Sequence, residues 1–177
     1  FDYSGIEFEV YDSNNVLINK VICDSYGSFS VNNLVSGNYY LKQVKTNDAY
    51  IESDDIYYFE VGDETEVQKI EVIPLVTEVE LIKFYGEGEN LVKEREVTFD
   101  IYNKDGLFYK SVATNEDGIV NIDLVYGEYL VKQRNSSVGY EMVDDFWIDA
   151  RVKRDEKLVY TLVDEAIKLI FVINSLN

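Results

Sequence analysis

The chain has 177 residues, of which hydrophobic types make up 46% and aromatics 14%, enough apolar material for one domain of ordinary size or two small ones. Lys and Arg number 16 against 34 Asp and Glu, a formal charge of −18 that repels phosphate backbones and anionic lipid, so neither nucleic acid nor a membrane surface is an expected partner. There is no histidine, and Cys23 stands alone, which removes the commonest general base, an internal disulfide and a zinc cluster; no catalytic set, metal or cofactor is expected, and the chain reads as a non-enzyme.

In chain order, Ile6, Phe8 and Val10 alternate with Glu7, Glu9 and Tyr11, the period-two pattern of a half-buried strand. The turn cluster Asp12-Ser13-Asn14-Asn15 closes it, and short strands rich in Val, Ile, Tyr and Phe follow. The same order then returns. Val97-Thr98-Phe99-Asp100-Ile101-Tyr102-Asn103 repeats Ile6-Glu7-Phe8-Glu9-Val10-Tyr11-Asp12, and Gly127-Glu128-Tyr129-Leu130-Val131-Lys132-Gln133 repeats Gly37-Asn38-Tyr39-Tyr40-Leu41-Lys42-Gln43. Asn103-Lys104-Asp105-Gly106 and Glu116-Asp117-Gly118 supply turns in the second copy. Ordered matches at a nearly constant offset mark a duplicated unit. The expected fold is all-β: two tandem immunoglobulin-like Greek-key sandwiches of about seven strands each. Pro74 is the single proline and no Ser/Gly-rich stretch separates the units, so the junction is expected to be short and stiff.

Thr77-Glu78-Val79-Glu80-Leu81-Ile82-Lys83 opens unit 2 with a strand that unit 1 has no counterpart for, since unit 1 starts near Phe1. Asp164 to Phe171 resembles that opening strand again. The expected division is therefore unit 1 at 1–76 without its first strand, unit 2 at 77–164, and an extra strand over 165–177 that either starts a further repeat or is donated to a neighbouring copy. Ile167, Leu169, Phe171 and Ile173 form its apolar face and are the candidates for strand complementation. The apolar run Leu169–Ile173 is far short of the roughly 20 residues of a membrane helix, and no signal-like segment opens the chain, which reads as a soluble mature piece.

Each unit resembles the B-type repeat of collagen adhesins, the prealbumin-like domain of Gram-positive surface proteins and pilins. The resemblance rests on Gly5-Ile6-Glu7-Phe8-Glu9-Val10-Tyr11-Asp12, Asp24-Ser25-Tyr26-Gly27-Ser28-Phe29 and Leu34-Val35-Ser36-Gly37-Asn38-Tyr39-Tyr40-Leu41-Lys42-Gln43, and on their repetition through Asn115-Glu116-Asp117-Gly118 and Leu124 to Gln133. It implies prealbumin-like sandwiches, an extracellular cell-surface location, and a structural role as stalk or spacer in an adhesin or pilus-like filament. Neighbouring copies or repeats are then the partners. A host protein or glycan bound directly is the alternative, with the insertion Gly86–Arg95 as its candidate patch and a plain charged loop as the simpler account.

Many members of that family join a first-strand lysine to a last-strand Asn or Asp through an isopeptide bond, with a nearby carboxyl shuttling protons. The amine must be neutral to attack, which burial favours. The resemblance places Lys83 and Asp164 at the joined positions, but Gln43 and Gln133 occupy the carboxyl's place, and an amide is neither acid nor base there. Lys83, Gln133 and Asp164 are thus expected to meet inside unit 2 as either an isopeptide or a buried polar cluster. Unit 1, with Pro74 near the amide position, is expected to be uncrosslinked. The acidic clusters Glu52–Asp55, Asp63–Glu66 and Asp144-Asp145 have no ordered ligand spacing and read as solvated turns rather than calcium sites. Asn135-Ser136-Ser137 fits a glycosylation pattern too short to carry weight.

Overall fold

A computed structural model describes residues 1–64, 67 and 69–173, and among them there is no helix. The chain divides into two units, Phe1–Leu75 and Val76–Asn177.

Unit 1 contains β1 (Glu7–Asp12), β2 (Leu17–Ile22), β3 (Gly37–Lys45), β4 (Tyr50–Ile51), β5 (Ile56–Val61) and β6 (Ile73–Pro74). Four of them form an antiparallel sheet in the order β2-β1-β3-β5, and β4 pairs with β6 in a separate two-stranded ladder. The alternation seen in the sequence is the pleat of β1: Ile6, Phe8 and Val10 are buried with Leu41 and Tyr39 of β3. Tyr11, Tyr40 and Tyr58 face the other way, Tyr11 stacked on Tyr40 and Tyr40 tilted against Tyr58.

Unit 2 contains β7 (Val76–Tyr85), β8 (Val92–Lys93), β9 (Thr98–Asn103), β10 (Phe108–Ala113), β11 (Ile119–Val125), β12 (Glu128–Gln133), β13 (Tyr140–Glu141), β14 (Phe146–Asp149) and β15 (Leu158–Ala166). One sheet runs β10-β9-β12-β14 and repeats the large sheet of unit 1. The second runs β11-β7-β15-β13, with β8 also paired to β7. Between the two sheets lies a core that includes Val79, Leu81, Phe99, Ile101, Ile122, Leu124, Val131 and Ile148. The first and last strands, β7 and β15, are parallel neighbours, with Leu162 beside Lys83 and Asp164 beside Tyr85.

Among the described residues of 1–75 no strand takes the part of β7. Its flanks in unit 2 are β11 and β15; the corresponding stretches of unit 1, around Ser28–Val35 and 69–72, form no ladder. β15 extends two residues past the expected end at Asp164, and residues 167–173 then continue without strand pairing.

Candidate functional site: a buried ion cluster and an open strand groove

The burial of β7 alternates without a break: Thr77, Val79, Leu81 and Lys83 all point inward. Lys83 therefore ends up in the core because of its parity, and it is 0% exposed. On the parallel neighbour β15, Leu158, Tyr160 and Leu162 pack against the core and Asp164 continues that face, also 0% exposed. The Lys83 Nζ lies 2.8 Å from Asp164 Oδ1. From the opposite sheet, Gln133 at the end of β12 donates through Nε2 to Asp164 Oδ2 at 2.6 Å. The three residues singled out from the sequence do meet.

A fourth group completes the cluster. Lys83 Nζ also donates to Glu94 Oε2 at 2.7 Å and to the carbonyl of Phe84 at 2.8 Å, and Glu94 is only 4% exposed. The other oxygen of Glu94 accepts from both the amide and the hydroxyl of Ser137, at 2.7 and 2.8 Å. Burial alone would raise the Glu94 carboxyl, but the hydrogen bonds from Lys83 and Ser137 outweigh it and hold the group below its ordinary range. One ammonium thus sits between two carboxylates, with the amide of Val143 donating to Asp164 Oδ1 at 3.1 Å. Each charge has partners, which is what a buried ionic group requires.

Glu94 lies in the insertion Gly86–Arg95, and period-two counting back from Val97 would turn it outward. The reason it faces in is Glu96, whose φ of 58° reverses the parity of the strand before Val97. Thr114 fixes this bend: its hydroxyl donates to the Glu94 carbonyl at 2.7 Å and accepts from the Val97 amide at 3.0 Å. Asn135 braces the same bend by donating to the Glu96 carbonyl at 3.0 Å. Among the described residues no grouping of His, Cys, Asp and Glu has the geometry to hold a metal ion. Thr65 and Glu66 of one acidic cluster lie outside those residues.

The strand ladders show what unit 1 has in place of these groups. Tyr50 pairs with Pro74 as Tyr140 pairs with Ala166, so Pro74 corresponds to Ala166 and the counterpart of Asp164 is Val72. Pro74 thus lies two residues from the amide position, near it as expected, and the offset between the copies is 92 here against 91 at β1. Gln43 keeps the role of Gln133: its Oε1 accepts from the Ser53 amide at 3.3 Å, as Gln133 Oε1 does from Val143 at 3.3 Å. At the offset of β1, Glu94 corresponds to Tyr3, which stacks on Tyr50 with ring centroids 5.3 Å apart. The same end of unit 1 opens as a groove of about 800 Å³ whose lining includes Tyr3, Phe8, Phe29, Leu34, Ile70 and Val72.

The large sheet of unit 2 repeats that of unit 1 in strand order, and Gln43 and Gln133 make the same contact. The SpaA prealbumin-like fold domain matches residues 3–73 and again 77–166. The chain belongs to that family. As a tandem pair of SpaA prealbumin-like domains it is similar to the Bacillus anthracis TIE protein, with a TM-score of 0.70 and 24% identity over 94% of this chain, and it spans 32% of that protein's length. It is similar in fold to GBS52, the minor pilin of Streptococcus agalactiae, with a TM-score of 0.50 and 16% identity, covering 98% of this chain and 88% of that one. No curated protein matches the chain. Within the family frame β7 and β15 are the first and last strands of a domain, and the Lys83–Asp164 contact adds to the ladder between them.

Proposed function

We propose that the chain is a pair of structural spacer domains of a cell-surface stalk or pilus-like filament, non-enzymatic apart from one self-directed reaction in unit 2. The observation that carries this reading is Lys83 held between Asp164 and Glu94 at the junction of the first and last strands. Tension applied at the two ends of a domain shears these parallel strands past one another. A bond between them takes that load before any ladder hydrogen bond does.

The cluster is arranged for amide formation. The Lys83 Nζ bonds to Asp164 Cγ, one carboxyl oxygen leaves as water, and the two protons shed by the ammonium go to that oxygen. Glu94, in contact with Nζ, relays a proton, the task that Gln133 as an amide cannot perform. Gln133 instead donates to Asp164 Oδ2 and stabilises the negative charge that builds there during attack. No group outside the cluster is consumed. The intact mass of the denatured chain is expected to fall short of the sequence mass by one water, and Glu94→Gln and Asp164→Ala are each expected to restore the full mass. A wild-type mass equal to the sequence would leave the cluster as an ion pair and remove the covalent reading.

Copies join head to tail in this reading. The segment 167–173 of one chain enters the open groove in unit 1 of the next and adds the strand that β7 provides in unit 2. Support comes from the exposure of that segment, with Leu169 at 80%, Phe171 at 83% and Ile173 at 92%, a large apolar face for a chain in water. The minor-pilin relative and the cell-surface character of the resemblance support the location. The insertion Gly86–Arg95, the candidate ligand patch, is engaged internally through Glu94, through Gly86 donating to the Asp164 carbonyl at 3.1 Å, and through β8 pairing with β7.

A further inference from the structure

We propose that Ser137 is a positioning residue for the Lys83–Asp164 reaction, clamping Glu94 so that a single carboxylate oxygen meets the lysine, and that bond formation therefore waits until the connection 134–139 has closed over the cluster. This rests on the amide-forming reading above and adds the step that controls it.

The connection leads from β12 to β13 and is fastened at both ends. The Arg134 amide donates to the Thr98 carbonyl at 2.9 Å, and the Thr98 amide donates to Asn135 Oδ1 at 2.7 Å. At the far end the Ile167 amide donates to the Gly139 carbonyl at 2.9 Å, and Tyr140 packs edge-on against Tyr85 with ring centroids 4.8 Å apart. Gln133 Nε2, at the start, donates to the Asn135 carbonyl at 2.8 Å as well as to Asp164. Gln133 and Ser137 thus reach the two carboxylates from one stretch of chain.

Ser137 spends both of its donors on one atom. Its amide and hydroxyl fill Glu94 Oε1, which leaves Oε2 to Lys83. Unit 1 shows that fastening the connection does not itself require this. At the offset of 90 that relates Ala49-Tyr50 to Gly139-Tyr140, Ser137 corresponds to Asn47. Asn47 Nδ2 donates to the carbonyls of Asp2 and Ser4, both at 3.0 Å, on either side of Tyr3, the counterpart of Glu94. The same position clips the same segment in both copies, through the backbone in unit 1 and through the carboxylate in unit 2, where there is a lysine to serve.

Each proton that leaves Lys83 Nζ passes by way of Glu94 Oε2 to the oxygen released from Asp164 Cγ, two protons and that oxygen making the water. Glu94 accepts a proton only while it is ionised. Two donors on Oε1 favour the ionised form, and losing one lets acid protonate the group sooner. Among the described residues, the charged groups facing Glu94 are Lys83 of β7 and, across the ammonium, Asp164 of β15. Gln133 of β12 is neutral, Arg134 is paired with Asp100 and Lys93 with Asp117, and Arg95, Glu96 and Glu141 are exposed.

The test uses the full chain, assembled by chemical synthesis and kept in denaturant so that it has never folded. It is diluted into buffers from acid to neutral pH, and the loss of one water is followed by intact mass against time. Fluorescence of Trp147, the single tryptophan, reports folding in the same samples. The wild-type rate should fall towards acid pH. Ser137→Ala should move that fall to higher pH, slowing the reaction about tenfold on the acid side and converging on wild type towards neutral. Ser137→Thr should behave as wild type, and Ser137→Cys, which keeps the size but donates weakly, as Ser137→Ala. A Ser137→Ala rate lowered by the same factor at every pH, or not lowered at all, overturns the positioning role alone. A wild-type chain that folds and loses no water overturns the crosslink and this proposal with it.

Discussion

Lys83 is in the core because strand parity puts it there, and every other feature of the cluster answers that placement. An amide between Lys83 and Asp164 closes a loop of roughly 80 residues, and by the loop-entropy argument for disulfides such a link is worth about 4 kcal/mol. Asp164→Ala should therefore lower the stability of unit 2 in urea by about that amount or more, since it also strands part of the charge network. Tyr129 makes a separate prediction. It is buried, donates to the Val125 carbonyl at 2.9 Å, and burial pushes its hydroxyl up to about 12. A phenol whose folded value is raised favours the folded state below its unfolded value near 10, and the benefit is lost as pH climbs towards 12. Unit 2 should accordingly lose stability between about pH 10 and 12 by urea titration, and Tyr129→Phe should flatten that limb while costing about 1 kcal/mol at neutral pH. Lys83, Gln133 and Asp164 were legible from alternation and resemblance. Glu94 was not, because its inward turn depends on one left-handed residue, Glu96, just after the charged insertion, with no glycine or asparagine at that point to announce it.

At the level of strands, the turns decide how well β7 seats. Gly118 has a φ of 71°, and a Cβ there would lie 2.6 Å from the backbone carbonyl of Lys83, which also accepts from Glu94. Gly106 has a similar φ of 78° but open space around it. Alanine at Gly106 should cost only the left-handed strain, about 1 kcal/mol. Alanine at Gly118 should cost about 1–3 kcal/mol more, because it must displace the backbone of the strand that carries the lysine. Thermal melts of the two variants separate these terms, and equal losses would show that the close approach carries no energy. The strands themselves were readable: β1, β3, β9 and β12 lie where the duplicated segments put them. The drift of the offset to 92 was not, because it accumulates in the stretch between β5 and β6, where sequence similarity is too thin to place a gap and only the Tyr50–Pro74 and Tyr140–Ala166 pairings locate it.

For the molecule as a whole, the copies share a fold but not a degree of closure. In unit 2 the strand β7 is flanked by β11 and β15, and Ile122 and Leu124 of β11 are fully buried beside it. Their counterparts Val31 and Leu34 in unit 1 are only half-buried, and Phe29, Ile70 and Val72 line an open groove instead of a sealed core. Unit 1 thus buries less apolar surface per residue, in a domain already small enough for marginal stability. It has no counterpart of the Lys83 cluster, because Val72 and Tyr3 stand where unit 2 has its carboxylates. Calorimetry on the chain at low concentration should therefore resolve two transitions, the lower belonging to unit 1. Asp164→Ala should move only the upper one. A single transition that shifts with Asp164→Ala would mean that the units unfold together, and that the Lys83 cluster stabilises both.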